Sequence, residues 1–355
     1  MVRNIILKLL FFPFSLIYGI LSYIYGLLYD TGVLASIKFT IPTINIGNLT
    51  VGGTGKTPHT EYLINSLQPY IKLAVLSRGY KRNTSGFMEV LNNHMVKNVG
   101  DEPLLFKRKY PNLSIFVAEN RVDGISQILM KDSAIQTVLL DDAYQHRAIN
   151  PYINILLTEY NFPFFKDFFL PSGRLREWRS AYKRANIIIA SKCPEDLTHQ
   201  DKENFIKKLN PTIKQKVFFS YYKYFEPYFI YNPNTKITLN TDLSVLLISA
   251  LASTSYLHSY LEERIDDLHS LEFTDHHEFT FDEMEHFKKV FLNLDNKNKI
   301  ILTTEKDAMR LNDHREFILT NNLPVFVLPV SVNFLFNQKE EFDLLIKQYL
   351  LDFKS

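Results

Sequence analysis

Residues 47–57 constrain the fold of this chain more than any other segment. They read GNLTVGGTGKT, follow a short apolar run at 43–46 and precede a helical pattern that continues to about residue 67. A strand, a glycine-rich loop and a helix in this order form a P-loop, in which backbone N–H groups and the helix N-terminus bind phosphates. Thr50 stands where the strict pattern has glycine, but Gly52, Gly53 and Gly55 keep the loop flexible. The segment predicts a nucleoside triphosphate site within an α/β fold.

Two side chains at the end of this loop carry specific expectations. Lys56 is expected to reach the β- and γ-phosphates, and the Thr57 hydroxyl is expected to ligate Mg²⁺. Pro58 falls in the first turn of the helix, where its missing N–H costs little. The predicted nucleotide-binding residues are Thr50, Val51, Gly52, Gly53, Thr54, Gly55, Lys56 and Thr57.

A second acidic element is expected to complete the nucleotide site. Residues 135–140 form an apolar run that ends in Asp141 and Asp142. A carboxylate at the end of a buried strand is placed to hold Mg²⁺ or its water, so Asp141 is a predicted metal ligand. Ligands bind at the carboxyl ends of strands in α/β sheets. We therefore expect Asp142, Gln145 and His146 to contact the acceptor or Mg²⁺, with loop capping as the alternative.

The overall composition limits the remaining classes of protein. The chain has 355 residues, which suits two domains of ordinary size. Its 40 basic and 38 acidic side chains leave a formal net charge of +2, so we expect no nucleic-acid partner. A mean hydropathy of −0.10 excludes a polytopic membrane protein. Cys193 is the single cysteine, which excludes an internal disulfide and a thiolate zinc site and fits a reducing compartment.

The N-terminal segment has its own character. No charged side chain occurs between Lys8 and Asp30, and as a helix this stretch would be roughly 30 Å long, about one hydrocarbon core. Four interpretations are open: a cleaved signal peptide, a single transmembrane helix, a membrane-associated helix and a buried core helix. A recurring face of serine and tyrosine favours the membrane-associated helix, over residues 1–35. Arg3 and Lys8 are then expected to meet anionic headgroups.

Apolar runs alternate with helix-like segments along the rest of the chain. Runs near 72–76, 114–117, 138–141, 153–157 and 187–190 predict an α/β sandwich with a mostly parallel sheet. Around 216–240 the pattern changes to short aromatic-rich runs, which we interpret as a β-ribbon linker. Later strand-like runs predict a second, smaller α/β domain. The expected division is 1–35 for the N-terminal helix, 36–215 for the P-loop domain, 216–240 for the linker and 241–355 for the C-terminal domain.

The ordered set of motifs resembles one known family, the tetraacyldisaccharide 4′-kinases, also called lipid A 4′-kinases. The resemblance covers residues from the N-terminus to about 310, and no motif after the P-loop is diagnostic alone. Ala143 departs from the family, which commonly has glycine there, and Trp178 stands where the family often has proline. The motifs are 45–58 (NIGNLTVGGTGKTP), 77–80 (SRGY), 100–103 (GDEP), 141–147 (DDAYQHR), 170–177 (LPSGRLRE), 275–277 (DHH) and 304–307 (TEKD).

This resemblance implies a lipid kinase that uses ATP and Mg²⁺. The γ-phosphate would pass to the 4′-hydroxyl of a tetraacyldisaccharide 1-phosphate, a lipid A precursor in lipopolysaccharide biosynthesis. The family fold implies two P-loop-NTPase-like α/β/α sandwich domains joined by a β-ribbon linker. The implied location is the cytoplasmic face of a Gram-negative inner membrane, where the N-terminal helix would lie on the membrane or anchor the chain to it.

The catalytic candidates follow from what phosphoryl transfer requires. The attacking hydroxyl needs a proton acceptor, and Asp101 in the GDEP segment is the candidate base. The family pairs such an aspartate with a histidine of the second domain, here His276. On an extended segment His276 and His277 point to opposite faces, so one of them should face the site. Glu102 is expected to support Mg²⁺ or the base. The alternatives are a helix N-cap at Asp101 and a surface pair of histidines.

An arginine-containing loop follows an aromatic segment and is expected to bind the lipid. Residues 162–169 read FPFFKDFF, and Arg174, Arg176 and Glu177 come directly after them. Arginine suits a headgroup phosphate and apolar surface suits acyl chains. The alternative is a buried aromatic turn with surface arginines. The predicted acceptor-binding residues are Asp142, Gln145, His146, Arg174, Arg176, Glu177 and Arg78.

Two other functions would use the same P-loop and Asp141. One is a kinase of a soluble metabolite, and the other is a switch or partition-type ATPase that acts through a protein partner. A soluble-metabolite kinase has no use for residues 1–30. A switch ATPase accounts neither for those residues nor for the aromatic and arginine-rich segment.

Overall fold

The computed structural model describes the backbone of residues 2–354 and the side chains of residues 10–354. Arg3 and Lys8 therefore lie outside the described side chains. The strands are β1 (Thr43–Asn48), β2 (Leu73–Ser77), β3 (Met88–Glu89), β4 (Ser114–Val117), β5 (Thr137–Asp141), β6 (Ile153–Glu159), β7 (Ile187–Ser191), β8 (Lys216–Tyr224), β9 (Tyr228–Phe229), β10 (Asn232–Lys236), β11 (Ser244–Ser249), β12 (Asp267–Glu272), β13 (Lys299–Thr304), β14 (Val325–Leu328) and β15 (Val330–Phe334).

Helices connect most of these strands. They are α1 (Val2–Asp30), α2 (Lys56–Leu67), α3 (Val96–Val99), α4 (Asp101–Lys109), α5 (Arg121–Lys131), α6 (His199–Leu209), α7 (Ser255–Glu262), α8 (Phe281–Leu292), α9 (Glu305–Leu311), α10 (Arg315–Thr320) and α11 (Gln338–Leu351). Short 3₁₀ turns occur at Phe164–Lys166, Arg179–Arg184 and Asn312–His314.

The first sheet has nine strands in the order β15-β8-β7-β6-β1-β5-β2-β4-β3. The strands from β8 to β4 run parallel, and an antiparallel strand closes each edge. Strands buried on both faces read as continuous apolar runs, which is the pattern of β5, β6 and β7. The chain places β2, β4 and β5 on one side of β1 and then crosses to place β6 and β7 on the other side. The P-loop after β1 therefore lies where the strand order reverses.

The second sheet has six strands in the order β10-β9-β14-β13-β11-β12. Four of them are parallel, and β9 and β10 add antiparallel strands at one edge. The predicted α/β fold with mostly parallel sheets is therefore confirmed.

The segment interpreted as a linker contributes to both sheets. β8 pairs in parallel with β7, and its Phe218 and Phe219 are buried on opposite faces of the first sheet. β9 and β10 extend the second sheet instead. After β14 the chain returns, because β15 pairs with β8 and α11 packs Phe342 and Ile346 into the core of the first sheet. The division into domains stays a prediction, but the last segment belongs by its contacts to the first sheet.

Helix α1 lies against the 169–178 segment with one face. Trp178 Nε1 donates a hydrogen bond to the Gly19 carbonyl at 2.7 Å, and the ring of Phe169 comes so close to Gly19 that a Cβ there would lie 3.2 Å away. The opposite face leaves apolar side chains exposed, among them Leu10, Phe14, Ile17 and Leu21. By length and composition, the stretch Leu10–Asp30, with mean hydropathy 1.6, could cross a membrane.

Candidate active site

The P-loop is held in a fixed conformation by its neighbours. Gly52 and Gly55 take φ values of 111° and 89°, which glycine adopts without strain, and any side chain at Gly55 would collide with the Tyr222 hydroxyl. The Asn48 amide donates to Thr54 Oγ1 at 2.9 Å, and Ser191 Oγ donates to the Thr54 carbonyl at 2.8 Å. The loop amides are thus organised before any phosphate arrives.

The P-loop also pairs with the 170–177 loop. Val51 N donates to the Arg174 carbonyl and Arg176 N donates to the Leu49 carbonyl, both at 2.8 Å. This pairing brings the Arg176 guanidinium to Asp142, with Nη2 3.0 Å from Oδ1. One of the two predicted lipid-loop arginines therefore lies beside the P-loop and Asp142.

The two aspartates after β5 have different environments. Asp141 is 5% exposed and accepts from Ser77 Oγ at 3.3 Å. Burial, with the neighbouring Asp142 charge, raises the pKa of Asp141 to about 6. Burial also acts to raise the pKa of Asp142, but Lys56 at 3.6 Å and Arg176 outweigh it and hold that pKa well below its usual range. Lys56 and Arg176 are therefore the ion-pair partners of Asp142, whereas among the described residues no cation lies within 4.0 Å of the Asp141 carboxylate.

The donor set around Asp141 suits a hard divalent cation. Mg²⁺ prefers oxygen ligands and keeps several waters, and a buried carboxylate with a raised pKa gains most from a nearby cation. Asp141 supplies the carboxylate, and the half-buried Thr57 at the start of α2 supplies a hydroxyl. The residues present fit the ion.

Asp101 and His276 come together from the two sheets. Asp101 opens α4, and His276 lies between β12 and α8 with a positive φ of 58°. Asp101 Oδ2 is 3.0 Å from His276 Nδ1, so we assign the imidazole proton to Nδ1. On the other side of the ring, Nε2 is 3.2 Å from Lys306 Nζ. His277 turns away and binds Glu283 at 2.9 Å, so His276 is the histidine of the pair that faces the site.

Two cations hold this pair, and neither was among the predicted site residues. Arg310 on α9 donates to Asp101 Oδ2 from Nη2 and, at 3.1 Å, from Nε, and it also binds Asp307 at 2.9 Å. Lys306 binds Glu102 Oε1 at 2.7 Å. The TEKD segment drew attention to this region, but nothing marked Arg310, which is 209 positions from Asp101.

These contacts separate the two acidic side chains of α4. Asp101 is 2% exposed, and burial opposes its ionisation. Hydrogen bonds from the Glu102 side chain and His276, with the charges of Lys306 and Arg310, nonetheless hold the pKa of Asp101 well below its usual range. Burial and the Asp101 charge raise the pKa of Glu102 well above its ordinary value. The His276 imidazole thus adjoins Asp101, which favours the ionised form, and Glu102, which favours the protonated form. One oxygen of each carboxyl group and one imidazole nitrogen lie within 4.8 Å of one another.

A cavity of about 670 Å³ joins these groups. Its wall contains the P-loop from Thr50 to Thr57, both aspartates after β5, and Glu102, His276 and Lys306. Of the predicted acceptor residues, Arg78, Asp142, Gln145, His146 and Arg176 line it.

Arg174 and Glu177 do not line this cavity. Arg174 Nε binds Asp167 at 2.7 Å and its guanidinium lies 5.4 Å from the Phe162 ring centroid, while Glu177 binds Arg184 at 2.8 Å. Both side chains stabilise the loop that carries Arg176. Their predicted contact with the acceptor stays a prediction.

Arg121 is a further cavity residue that the sequence did not reveal. It is 3% exposed at the start of α5, and its guanidinium donates to the carbonyls of Glu119 at 3.0 Å and Asp142 at 3.4 Å. Its Nε is buried and has no hydrogen-bonding partner among the described residues. Burial, only partly offset by Asp142, lowers its pKa to about 10. A buried, incompletely paired guanidinium beside a P-loop is typical of an anion site.

Comparisons with known proteins agree with this geometry. Residues 7–350 match the family model described as LpxK, tetraacyldisaccharide-1-P 4′-kinase. The tetraacyldisaccharide 4′-kinase of Bacteroides thetaiotaomicron is 40% identical over 353 residues, covering 96% of this chain and 92% of that protein. The enzyme of the same name from Flavobacterium johnsoniae is 40% identical, with 98% of each chain covered.

A solved structure shares the fold as well. It is the "apo" form of LpxK from Aquifex aeolicus, in complex with ATP, with 26% sequence identity and a TM-score of 0.72. The similarity covers 97% of this chain and 99% of that one. Together with the family match over nearly the whole length, these relatives show that the chain belongs to the tetraacyldisaccharide-1-P 4′-kinase family.

Proposed function

We propose that the 670 Å³ cavity is where ATP meets the lipid acceptor of this kinase. The enzyme is an ATP-dependent tetraacyldisaccharide 4′-kinase of lipid A biosynthesis. The observation that carries the assignment of the site is that three elements line one cavity: the P-loop, the aspartates after β5 and His276, which Asp101 binds from outside the cavity wall.

The P-loop residues bind and neutralise the phosphates. The amides of residues 50–57 and the start of α2 surround the phosphate chain, and Lys56 exchanges Asp142 for the β- and γ-phosphates. Arg176 stays beside Asp142 and adds positive charge on the acceptor side. Asp141 and Thr57 are the residues that would hold Mg²⁺, with Glu102 as a further carboxylate. The ion would supply neutralisation of the charge on the β- and γ-phosphates.

We infer that His276 takes the proton of the 4′-hydroxyl. Asp101 is buried, and the hydrogen bonds from Glu102 and His276 with the charges of Lys306 and Arg310 keep it ionised, so it is a weak and shielded base. His276 lines the cavity, and with the proton assigned to Nδ1 its Nε2 carries a lone pair, which accepts from Lys306 Nζ at 3.2 Å until the hydroxyl replaces that contact. When Nε2 accepts the proton, Asp101 stabilises the resulting imidazolium through Nδ1–H. Asp101 acts here as the positioning and stabilising partner, while the sequence suggested it as the base itself.

Helix α1 supports action on a lipid in a membrane. Its exposed apolar face is roughly opposite the face that binds the 169–178 segment, and burial of that apolar face in an interface would be favourable. Tyr18 and Ser22 hydroxyls donate to the Arg176 carbonyl at 3.0 and 3.3 Å. The helix is thereby tied to the loop that carries Arg176 into the cavity. We propose that the chain works at the inner-membrane surface, peripherally or anchored by this helix.

Transfer of phosphate from γ-labelled ATP tests the proposal. The detergent-solubilised enzyme is given tetraacyldisaccharide 1-phosphate, a soluble sugar phosphate, or no acceptor. Label in the disaccharide lipid alone supports the lipid kinase. Label in the soluble sugar phosphate, or acceptor-independent hydrolysis without lipid labelling, would instead support a soluble-metabolite kinase or a switch ATPase. Lys56→Met provides the inactive control for background transfer.

A further inference from the structure

A buried ion pair lies beside the P-loop and has no part in the mechanism above. Lys192 Nζ is 3.2 Å from Glu159 Oε1, and both residues are 5% exposed. Glu159 is the last residue of β6, and Lys192 directly follows β7. Both therefore lie at the carboxyl edge of the first sheet, on the side where the P-loop binds phosphates.

The ammonium is aimed at the middle of the P-loop. A Cβ built on Gly53 would lie 3.9 Å from Lys192 Nζ, and Lys192 lines the same cavity as the loop. The preceding residue, Ser191, donates its hydroxyl to the Thr54 carbonyl at 2.8 Å, which fixes the end of β7 to the loop. The position of Lys192 relative to Gly53 is therefore set by direct contact.

A structural role alone does not account for this lysine. A buried Lys–Glu pair commonly stabilises a fold no better than apolar side chains of the same size. Lys192 also has a φ of 54°, which is uncommon for a residue with a side chain. An ammonium has three N–H donors, and among the described side chains Glu159 is its single hydrogen-bonding partner. Gly53 lies close enough to the ammonium for a group bound beside it to accept from the remaining donors.

We propose that Lys192 is a second nucleotide-binding lysine, which Glu159 holds beside the P-loop so that its ammonium donates to an oxygen of the bound nucleotide near Gly53. The proposal rests on the nucleotide site of the proposed function. Lys56 is paired with Asp142 at one side of the loop, and Lys192 approaches from the side of β6 and β7. Both lysines line the cavity, so each would contact the nucleotide from its own position beside the loop.

Equilibrium binding of a fluorescent ADP analogue, without lipid and without turnover, tests this role. Lys192→Met is expected to weaken binding about tenfold or more, because a charge-assisted hydrogen bond is lost. It also leaves Glu159 buried without its cation, so the variant is expected to lose thermal stability. The double variant Lys192→Met/Glu159→Gln removes both charges and should recover stability without recovering affinity. Lys214→Met, at an exposed lysine, is the control for the change in net charge.

The double variant decides between the roles. If it binds the analogue as tightly as the wild type, Lys192 is structural and the proposal is wrong. If the wild type itself fails to bind, the proposed nucleotide site fails instead. Added salt then identifies the nucleotide oxygen that Lys192 contacts. If salt weakens binding more in the wild type than in the double variant, the oxygen belongs to a phosphate; if it weakens both equally, the oxygen belongs to the ribose.

Discussion

Replacing Lys109 should destabilise the protein in a pH-dependent way. Lys109 ends α4 and bridges two buried carboxylates, with Nζ 2.6 Å from Glu61 Oε2 and 2.8 Å from Glu305 Oε1. Glu61 lies on α2 after the P-loop, and Glu305 begins α9, which also carries Lys306 and Arg310. One ammonium thus connects α2, which follows the P-loop, with α4, which carries Asp101, and with α9, which carries Lys306 and Arg310.

The magnitude follows from the burial of the carboxylates. Glu61 and Glu305 are each 7% exposed, and Lys109→Met leaves both without a cation. Removing one partner of a buried ion pair costs roughly 3–5 kcal/mol. We therefore expect the free energy of unfolding to fall by about that amount at pH 8.

The loss should shrink as the pH falls. Burial, which outweighs the ion pair with Lys109, raises the pKa of Glu61 to about 7. A carboxyl with a raised pKa binds its proton more tightly in the folded state, so stability grows as the pH falls through that pKa. Without Lys109 the pKa of Glu61 is higher still, so protonation of Glu61 stabilises the folded variant over a wider range of pH. The difference in free energy of unfolding between the wild type and Lys109→Met should therefore narrow by about 1 kcal/mol from pH 8 to pH 6, at 1.36 kcal/mol per proton and pH unit.

Denaturant unfolding at pH 8 and pH 6 measures both quantities. Lys131→Met is the matched control, because Lys131 binds Glu89 at 2.6 Å on the surface and should cost under about 1 kcal/mol at either pH. A Lys109→Met deficit below about 1 kcal/mol at pH 8, or one that grows toward pH 6, would refute the reasoning.

Further predictions concern turnover and membrane contact. Lys56→Ala should remove most turnover with an unchanged melting temperature, and a variant with near-native turnover would exclude its phosphate role. Asp101→Asn should reduce kcat less than His276→Gln does, because Asp101 acts through the imidazole. If both variants instead keep the same residual kcat, and only Asp101→Asn loses the plateau of kcat at high pH, Asp101 is the base. Trp178→Ala should loosen α1, seen as faster proteolysis near Gly19, and unchanged cleavage would contradict that contact. Deletion of residues 1–30 should release the protein from membranes, and continued pelleting would indicate another attachment.

The sequence revealed the parts of the site that are local in the chain. A strand, a glycine loop and a helix form one contiguous signal, so the P-loop was predicted with its Lys56 and Thr57. The acidic end of β5 was found for the same reason, because a buried run ends there in two aspartates. His276 was identified through the family resemblance, and the structure then distinguished it from His277, which binds Glu283.

Other parts depend on contacts between distant segments. Arg310 and Arg121 read as ordinary surface cations, and Lys306 was marked only as part of the TEKD motif. The approach of α9 to α4 and of α5 to β5 brings them to the site. The return of β15 and α11 to the first sheet is likewise a long-range pairing that no local pattern announces.

The aromatic segment 162–169 contains both buried core residues and exposed residues within a few positions. Phe164 is 2% exposed and belongs to the core, and Phe169 packs on Trp178 under α1, with ring centroids 4.9 Å apart. Phe162 and Phe168 remain exposed, with the guanidinium groups of Arg174 and Arg179 over their rings, as acyl-chain contact would require. Alternation of burial within a turn depends on tertiary packing, so composition alone could not separate these roles.

The most direct test of the account compares ADP formed with lipid labelled, in one reaction of the wild-type enzyme with γ-labelled ATP and tetraacyldisaccharide 1-phosphate. If the cavity aligns the 4′-hydroxyl with the γ-phosphate and excludes water, each ADP should be matched by one labelled phosphate at the 4′ position of the lipid. ADP that accumulates without label in the lipid, or label at another position, would contradict the account.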